Sequence, residues 1–225
     1  MIGYQAIFTD RTDAGKRLGV LLKTKIHDTR PLVLGIPTGG VQVAYEVAKI
    51  LKGDLSVVIA KKLPDPSSEE VAMGAIAEGD FVCFSRQWEN LDEELKRSII
   101  DRQSREVKRR IARFRGGRPL PEMKGRTVLL VDDGIATGAT IASAILLCKT
   151  RNPKRIIVAV PVAANHDFYN IFKHADQVVI LEQPSVFHAV GEFYRDFRNL
   201  PDEDLLVLLQ EAGQPPGGNS GGWSI

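Results

Sequence analysis

The sequence predicts an α/β domain on a doubly wound, mainly parallel sheet, with a small hood after the last strand and a long basic helix inserted before residues 127–131. Three observations predict it. Short apolar runs rich in β-branched residues recur at 32–36, 55–60, 127–131, 155–160 and 177–181, apolar enough to be buried on both faces of a sheet. Stretches with helical spacing, such as 41–51 and 140–149, lie between most of them, and that alternation builds parallel sheets. Gly, Pro or charged residues close each run, as strand ends require.

Two segments depart from simple alternation. In residues 71–84, Glu78-Gly79-Asp80 separates two short apolar stretches and predicts a hairpin-like excursion. Residues 91–114 carry Leu91, Leu95, Ile99, Val107, Ile111 and Phe114 at helical intervals, with Arg102, Arg105, Arg109 and Arg113 on other faces, which predicts a long amphipathic helix. Arg115-Gly116-Gly117-Arg118-Pro119 stops it and forms a flexible return to the sheet. After Leu181 come Pro184, the aromatics Phe187, Phe193, Tyr194 and Phe197, and a last helical pattern over 201–211. These are expected to form a cap. Residues 1–212 thus read as one domain and 213–225, GQPPGGNSGGWSI, as a flexible tail without a burial pattern.

Composition narrows the function classes. The 225 residues are 44% apolar and 26% charged, which suits a folded domain with a sizeable core. A net charge of only +2 gives no global field to draw the chain onto nucleic acid or an anionic membrane, so any anion site must be local. The first ten residues lack the basic, apolar and small-residue succession of a cleaved leader, and no apolar run suits a spanning helix. Cys83 and Cys148 are the only cysteines and have no metal-ligand spacing to the histidines. The expected setting is the cytoplasm, with no nucleic-acid or membrane partner, and a homodimer stays open.

The chemistry concentrates in VLLVDDGIATGAT, residues 128–140. A buried strand leads straight into two acids, then a turn of small residues, then a helix. Ligands of open α/β sheets bind beyond the carboxyl ends of the strands, where Asp132 and Asp133 must then sit. In Ala136-Thr137-Gly138-Ala139-Thr140, small side chains let consecutive backbone N–H groups converge at a helix N-terminus, a site for a phosphate dianion. Carboxylates repel phosphate but accept protons from vicinal hydroxyls. Together the two halves ask for a sugar phosphate.

This stretch resembles the signature of type I phosphoribosyltransferases: a hydrophobic strand, two acids and a T-G-x-T type phosphate loop. The resemblance implies that Asp132 and Asp133 hold the ribose 2′ and 3′ hydroxyls, and that Ala136, Thr137, Gly138, Ala139 and Thr140 hold the 5′-phosphate. It implies further a phosphoribosyltransferase that binds 5-phosphoribosyl-1-pyrophosphate with Mg2+, which Asp132 and Asp133 contact indirectly, and transfers the phosphoribosyl group to a nitrogenous base or other nitrogen nucleophile with release of pyrophosphate. Two other readings of the residues stay open. An acidic pair after a strand also opens receiver domains, which need a third aspartate two βα units onward, where this chain has Val160-Pro161 and Leu181-Glu182 instead. A helix-capping threonine after an ordinary acidic loop gives the same string with no ligand.

Residues 34–40, LGIPTGG, end an earlier strand in a tight turn and resemble the family's pyrophosphate loop, which assigns Pro37, Thr38, Gly39 and Gly40 to the substrate. Near relatives carry a basic residue where this chain has Thr38, so a fixed charge on the leaving group is missing. Lys61 and Lys62, after the next run, can replace it, or be a solvated pair. The basic helix and its exit fall where the family has a mobile catalytic loop, although Glu106 with Arg110 also suits a plain surface helix. Residues 187–194 fall where the family builds its hood for the base, and their aromatics suit packing at least as well. The resemblance, including FTDRTDAGKRLG near the start and AVGEFYRDF near the end, extends to about Gln210 and matches stand-alone bacterial members. Purine-specific relatives have an acid at the position of Ala136; its absence disfavours hypoxanthine and guanine and leaves adenine, uracil and others. Because of Thr38, a regulatory module that binds the donor without turnover is the alternative, and a sugar-phosphate hydrolase a third.

Overall fold

The computed structural model describes residues 6–165 and 173–213, so most of the expected tail at 213–225 lies outside the described residues. In chain order the elements are α1 (Arg11–Lys25), β1 (Leu32–Gly35), α2 (Gly39–Leu51), β2 (Asp54–Val57), β3 (Ala60–Asp65), β4 (Ser68–Ala77), β5 (Phe81–Phe84), α3 (Glu93–Arg115), β6 (Thr127–Val131), α4 (Ala139–Lys149), β7 (Arg155–Val162), β8 (Gln177–Glu182) and α5 (Asp202–Glu211). The main sheet runs β2-β1-β6-β7-β8, with every neighbouring pair parallel. β3, β4 and β5 form a separate antiparallel sheet.

Both faces of the main sheet are covered, which is why its strands read as unbroken apolar runs. Val33, Leu129 and Ile157 pack on one face with Leu18 of α1, Val47 of α2 and Leu205 of α5. Leu34, Leu130 and Val158 pack on the other with Ile141 and Ile145 of α4. Each such side chain contributes roughly 1.5–3 kcal/mol when fully buried. From β1 the chain crosses through α2 to β2 on one side, and from β6 through α4 to β7 on the other. The order therefore reverses between β1 and β6, and a crevice opens beyond their carboxyl ends.

The small sheet departs from expectation. The run 55–60 reads as one strand in the sequence, but it divides after Val57. Glu78 turns the chain outward there: its Oε1 accepts from Ile59 N at 2.7 Å, and its own N–H donates to Ile59 O at 3.1 Å. Ala60 onward pairs with β4, so the expected hairpin at 71–84 gains a third strand. This sheet lies between two helices. Leu63 and Ile76 share a cluster with Ile99 and Val107 of α3, whereas Ala60 and Ala77 share one with Ile145 and Cys148 of α4.

The long helix is present as α3, with Asp92 rather than Leu91 at its start, because the Asp92 carboxylate accepts from Glu94 N at 2.8 Å. Gly116 ends it at φ 60°. The exit is not a free loop throughout: Arg115 is buried. Among the described residues no helix is long and apolar enough to cross a membrane.

Candidate active site

Two loops meet at the crevice because β1 and β6 are neighbours. Ile36 N donates to Val131 O at 2.9 Å, which draws the end of β1 against the end of β6. Gly39 and Gly40 then pass so close to the acids that a side chain has no place. A Cβ on Gly40 would stand 2.7 Å from Val131 O and 2.9 Å from Asp132 Cα, and one on Gly39 would overlap Asp133 Oδ2. The structure thus brings Gly39 and Gly40 together with Asp132 and Asp133, and Pro37 and Thr38 directly precede them in the same turn.

The second loop has the form expected of an anion site. Gly138 takes a left-handed conformation, φ 75°, and leads into α4 with no side chain capping its first turn. Among the described residues, no hydrogen bond is donated by the N–H groups of Ala136, Thr137, Gly138, Ala139 or Thr140. The first internal bond comes later, from Ala142 N to Gly138 O at 2.9 Å. Thr38 likewise leads into α2 without a side-chain cap, across a cis Pro37-Thr38 peptide. Both helix starts are uncapped, and each has the partial positive charge that attracts phosphate.

The carboxylates are not equivalent. Asp132 Oδ1 accepts from Asp133 N at 2.9 Å. Asp133 Oδ2 accepts from Arg11 Nε at 2.7 Å. Burial pushes both carboxyls above the ordinary aspartate range. Asp132 rises well above it, because Asp133 adds repulsion, whereas Arg11 pulls Asp133 back. Arg11 is 2% exposed. Its Nη1 donates to Phe197 O at 3.2 Å and Arg198 O at 3.0 Å, and its Nη2 to Asn199 Oδ1 at 3.1 Å. The centre of the Phe197 ring lies 3.9 Å from the guanidinium carbon, and the Tyr194 hydroxyl donates to Asp133 O at 2.6 Å.

The lysines are placed differently from the expected strand end. Lys61 and Lys62 lie inside β3, paired with Ile76 and Ala75, and the two-residue period of a strand sends them to opposite faces. Lys61 shares its face with Ile76, toward α3. Its ammonium value is lowered by burial and then by Arg110. Both lysines border a cavity of about 480 Å³ with Arg102, Arg105 and Arg109 of α3. Glu106 bonds Arg109 and Arg110, as a surface helix would. Arg115, expected in a mobile exit, instead donates to Val57 O at 2.9 Å and to Glu78 Oε1 at 2.6 Å.

The aromatic segment packs. Phe193 and Tyr194 are buried with Phe8 and Val162, and Phe187, Val190 and Phe197 lie against them. Sequence reasoning missed Arg11 and the Tyr194 hydroxyl. A signal for Arg11 was present: Asp10 caps α1 by accepting from Asp13 N at 2.8 Å, and a cation at the next position opposes the helix dipole. Such an arginine is placed there by a partner elsewhere.

Fold and site together define an α/β domain with an uncapped phosphate-type loop and paired acids at its switch point. The family model for the phosphoribosyl transferase domain matches residues 12–198, and the chain belongs to that family. Two Mycobacterium tuberculosis proteins, from strains CDC 1551 and H37Rv, each named "Putative phosphoribosyl transferase", are 36% identical over 209 residues. The match covers 92% of this chain and 47% of each relative, so the chain spans about half their length. The crystal structure of TT1426 from Thermus thermophilus is 39% identical, with a TM-score of 0.75, over 91% of this chain and 98% of that one.

Proposed function

We propose that this chain binds 5-phosphoribosyl-1-pyrophosphate with magnesium and transfers the phosphoribosyl group to a nitrogen nucleophile, releasing pyrophosphate. One observation carries the reading: five loop amides that donate no hydrogen bond among the described residues stand at the start of α4, directly after a half-buried carboxylate pair. The amides of residues 136–140 take the 5′-phosphate, as a helix N-terminus does for a dianion. Asp132 and Asp133 take ribose hydroxyls, with Asp133 already engaged through Oδ2 by Arg11. The amides of Thr38, Gly39 and Gly40 take the pyrophosphate. Breaking the anomeric C–O bond leaves the electron pair on pyrophosphate and positive character on the sugar, which the paired carboxylates favour. A nitrogen lone pair then forms the C–N bond, and that nitrogen loses its proton.

The residues fit magnesium in a limited way. Among the described residues no group of three or more His, Cys, Asp or Glu gathers to hold a metal, so an all-protein cage is lacking. Magnesium is often held by one or two carboxylates plus ligand phosphates and waters, and Asp132 and Asp133 offer the carboxylates. When bound, it would neutralise pyrophosphate charge. A phosphorylated donor supports placement in the cytoplasm, and small molecules rather than nucleic acid or membrane as partners.

The alternative is a regulatory module that binds the donor without turnover, and Thr38 in place of a basic residue favours it. Pyrophosphate release across a panel of bases, read beside thermal shift with donor and magnesium, decides between them. Base-dependent release is the expected result. Stabilisation by the donor with no release from any base assigns the module, base-independent release assigns a hydrolase, and no stabilisation at all overturns donor binding.

A further inference from the structure

We propose that Arg11 is a positioning residue for the sugar hydroxyls: it fixes the Asp133 carboxylate and straps it to residues 197–199. The inference rests on the sugar-phosphate reading of the site. Every nitrogen of the guanidinium is used, Nε on Asp133 and the two terminal nitrogens on Phe197 O, Arg198 O and Asn199 Oδ1. One planar group therefore joins α1, the end of β6 and the segment before α5, from residues more than a hundred positions apart in sequence. A lysine offers a point charge and cannot hold that fork.

The site gives Asp133 a reason to need holding. Aspartate side chains compete readily for nearby backbone N–H groups, and among the described residues the N–H groups of Ala136 to Thr140, a few positions on, donate no hydrogen bond. A carboxylate released from Arg11 would have those amides as an alternative partner, closing the loop to phosphate and removing its oxygens from the hydroxyls. Gly39, pressed against both Asp133 and Arg11, and Tyr194, bonded to Asp133 O, brace the same arrangement from two further sides. Helix α1 by itself gains nothing from a buried cation in its first turn.

The test compares ribose 5-phosphate with 2-deoxyribose 5-phosphate by calorimetric titration of the full chain. Both carry the phosphate, and only the first offers the 2′ hydroxyl to the carboxylates. The parent is expected to prefer ribose 5-phosphate by about tenfold, the worth of one hydrogen bond to a charged group. Arg11→Met is expected to reduce the preference to within about twofold, with folding checked by circular dichroism. Arg11→Lys is expected to follow Arg11→Met; full recovery by lysine overturns positioning in favour of charge alone. Should Arg11→Met not fold, Asn199→Ala removes one strap and keeps the Asp133 bond: a reduced preference supports the proposal and an unchanged one overturns it. A parent preference that persists in Arg11→Met overturns the role of Arg11 only. A parent that binds neither sugar phosphate overturns the reading of the site beneath it.

Discussion

At Gly39 the backbone runs between a carboxylate and a guanidinium, and a methyl group there would overlap Asp133 Oδ2. Neither partner can give way easily, since Arg11 is held at its far end by three acceptors and Asp133 lies just past the end of a buried strand. Gly39→Ala is therefore expected to lose donor-induced thermal stabilisation and to cost about 1–3 kcal/mol, the usual penalty of overpacking. Urea denaturation reads the second effect and donor titration the first; a variant that keeps both parent values would show that the loop has slack. The glycine pair was visible in the sequence as a turn, and the acids were visible as a pair. Their contact was not, because it depends on β1 and β6 being neighbours, a matter of strand order on which the residues 34–40 and 128–140 are silent.

Among the elements, α3 and the small sheet show how periodicity informs and where it stops. Apolar spacing located α3 to within two residues at its start, and Gly116 marked its end. The partner of Arg115 was beyond such reasoning: Glu78 lies 37 residues earlier, in a Glu-Gly-Asp turn whose composition reads as solvent. In the fold that carboxylate is 8% exposed and meets an arginine 3% exposed, while also accepting from Ile59 N. The pair fastens the end of α3 to the exit of β2 and to the small sheet. Removing one member strands a buried charge, so Arg115→Met is expected to cost about 3–5 kcal/mol by chemical denaturation at neutral pH. Arg115→Met/Glu78→Gln is expected to recover part of the loss, because the stranded charge is gone. A cost below about 1 kcal/mol, the range of exposed pairs, would show that water reaches Glu78.

Across the whole molecule the two rims of the main sheet carry opposite electrostatics. At the carboxyl rim, burial holds Asp132 and Asp133 above the ordinary aspartate range, an arrangement that costs stability when they ionise. At the amino rim, ion pairs lace segments distant in sequence: Asp54 bridges Arg30 and Arg126, and Asp28 bridges Lys154 and Arg155. These partners were as illegible in the sequence as the Asp133 partner of Arg11, and for the same reason, since each pair is made by the sheet and not by local spacing. The hydrogen bond from Lys154 is the main cause that lowers the Asp28 carboxyl from 3.8 to about 2. The sign follows from proton counts. Below about pH 2 the carboxyl is protonated in folded and unfolded chains alike, and the bridge adds nothing. Between about 2 and 3.8 the unfolded chain binds more protons, so stability climbs with pH, and above that window the contribution is complete. The raised carboxyls of the other rim act in reverse, losing stability as pH rises. Asp28→Asn is therefore expected to lower the urea midpoint at neutral pH and to converge on the parent as the medium is acidified through that window. Two midpoint curves that stay parallel from neutral pH down to about pH 2 would show that the Lys154–Asp28–Arg155 bridge does not fasten the segment after α1 to β7 in solution.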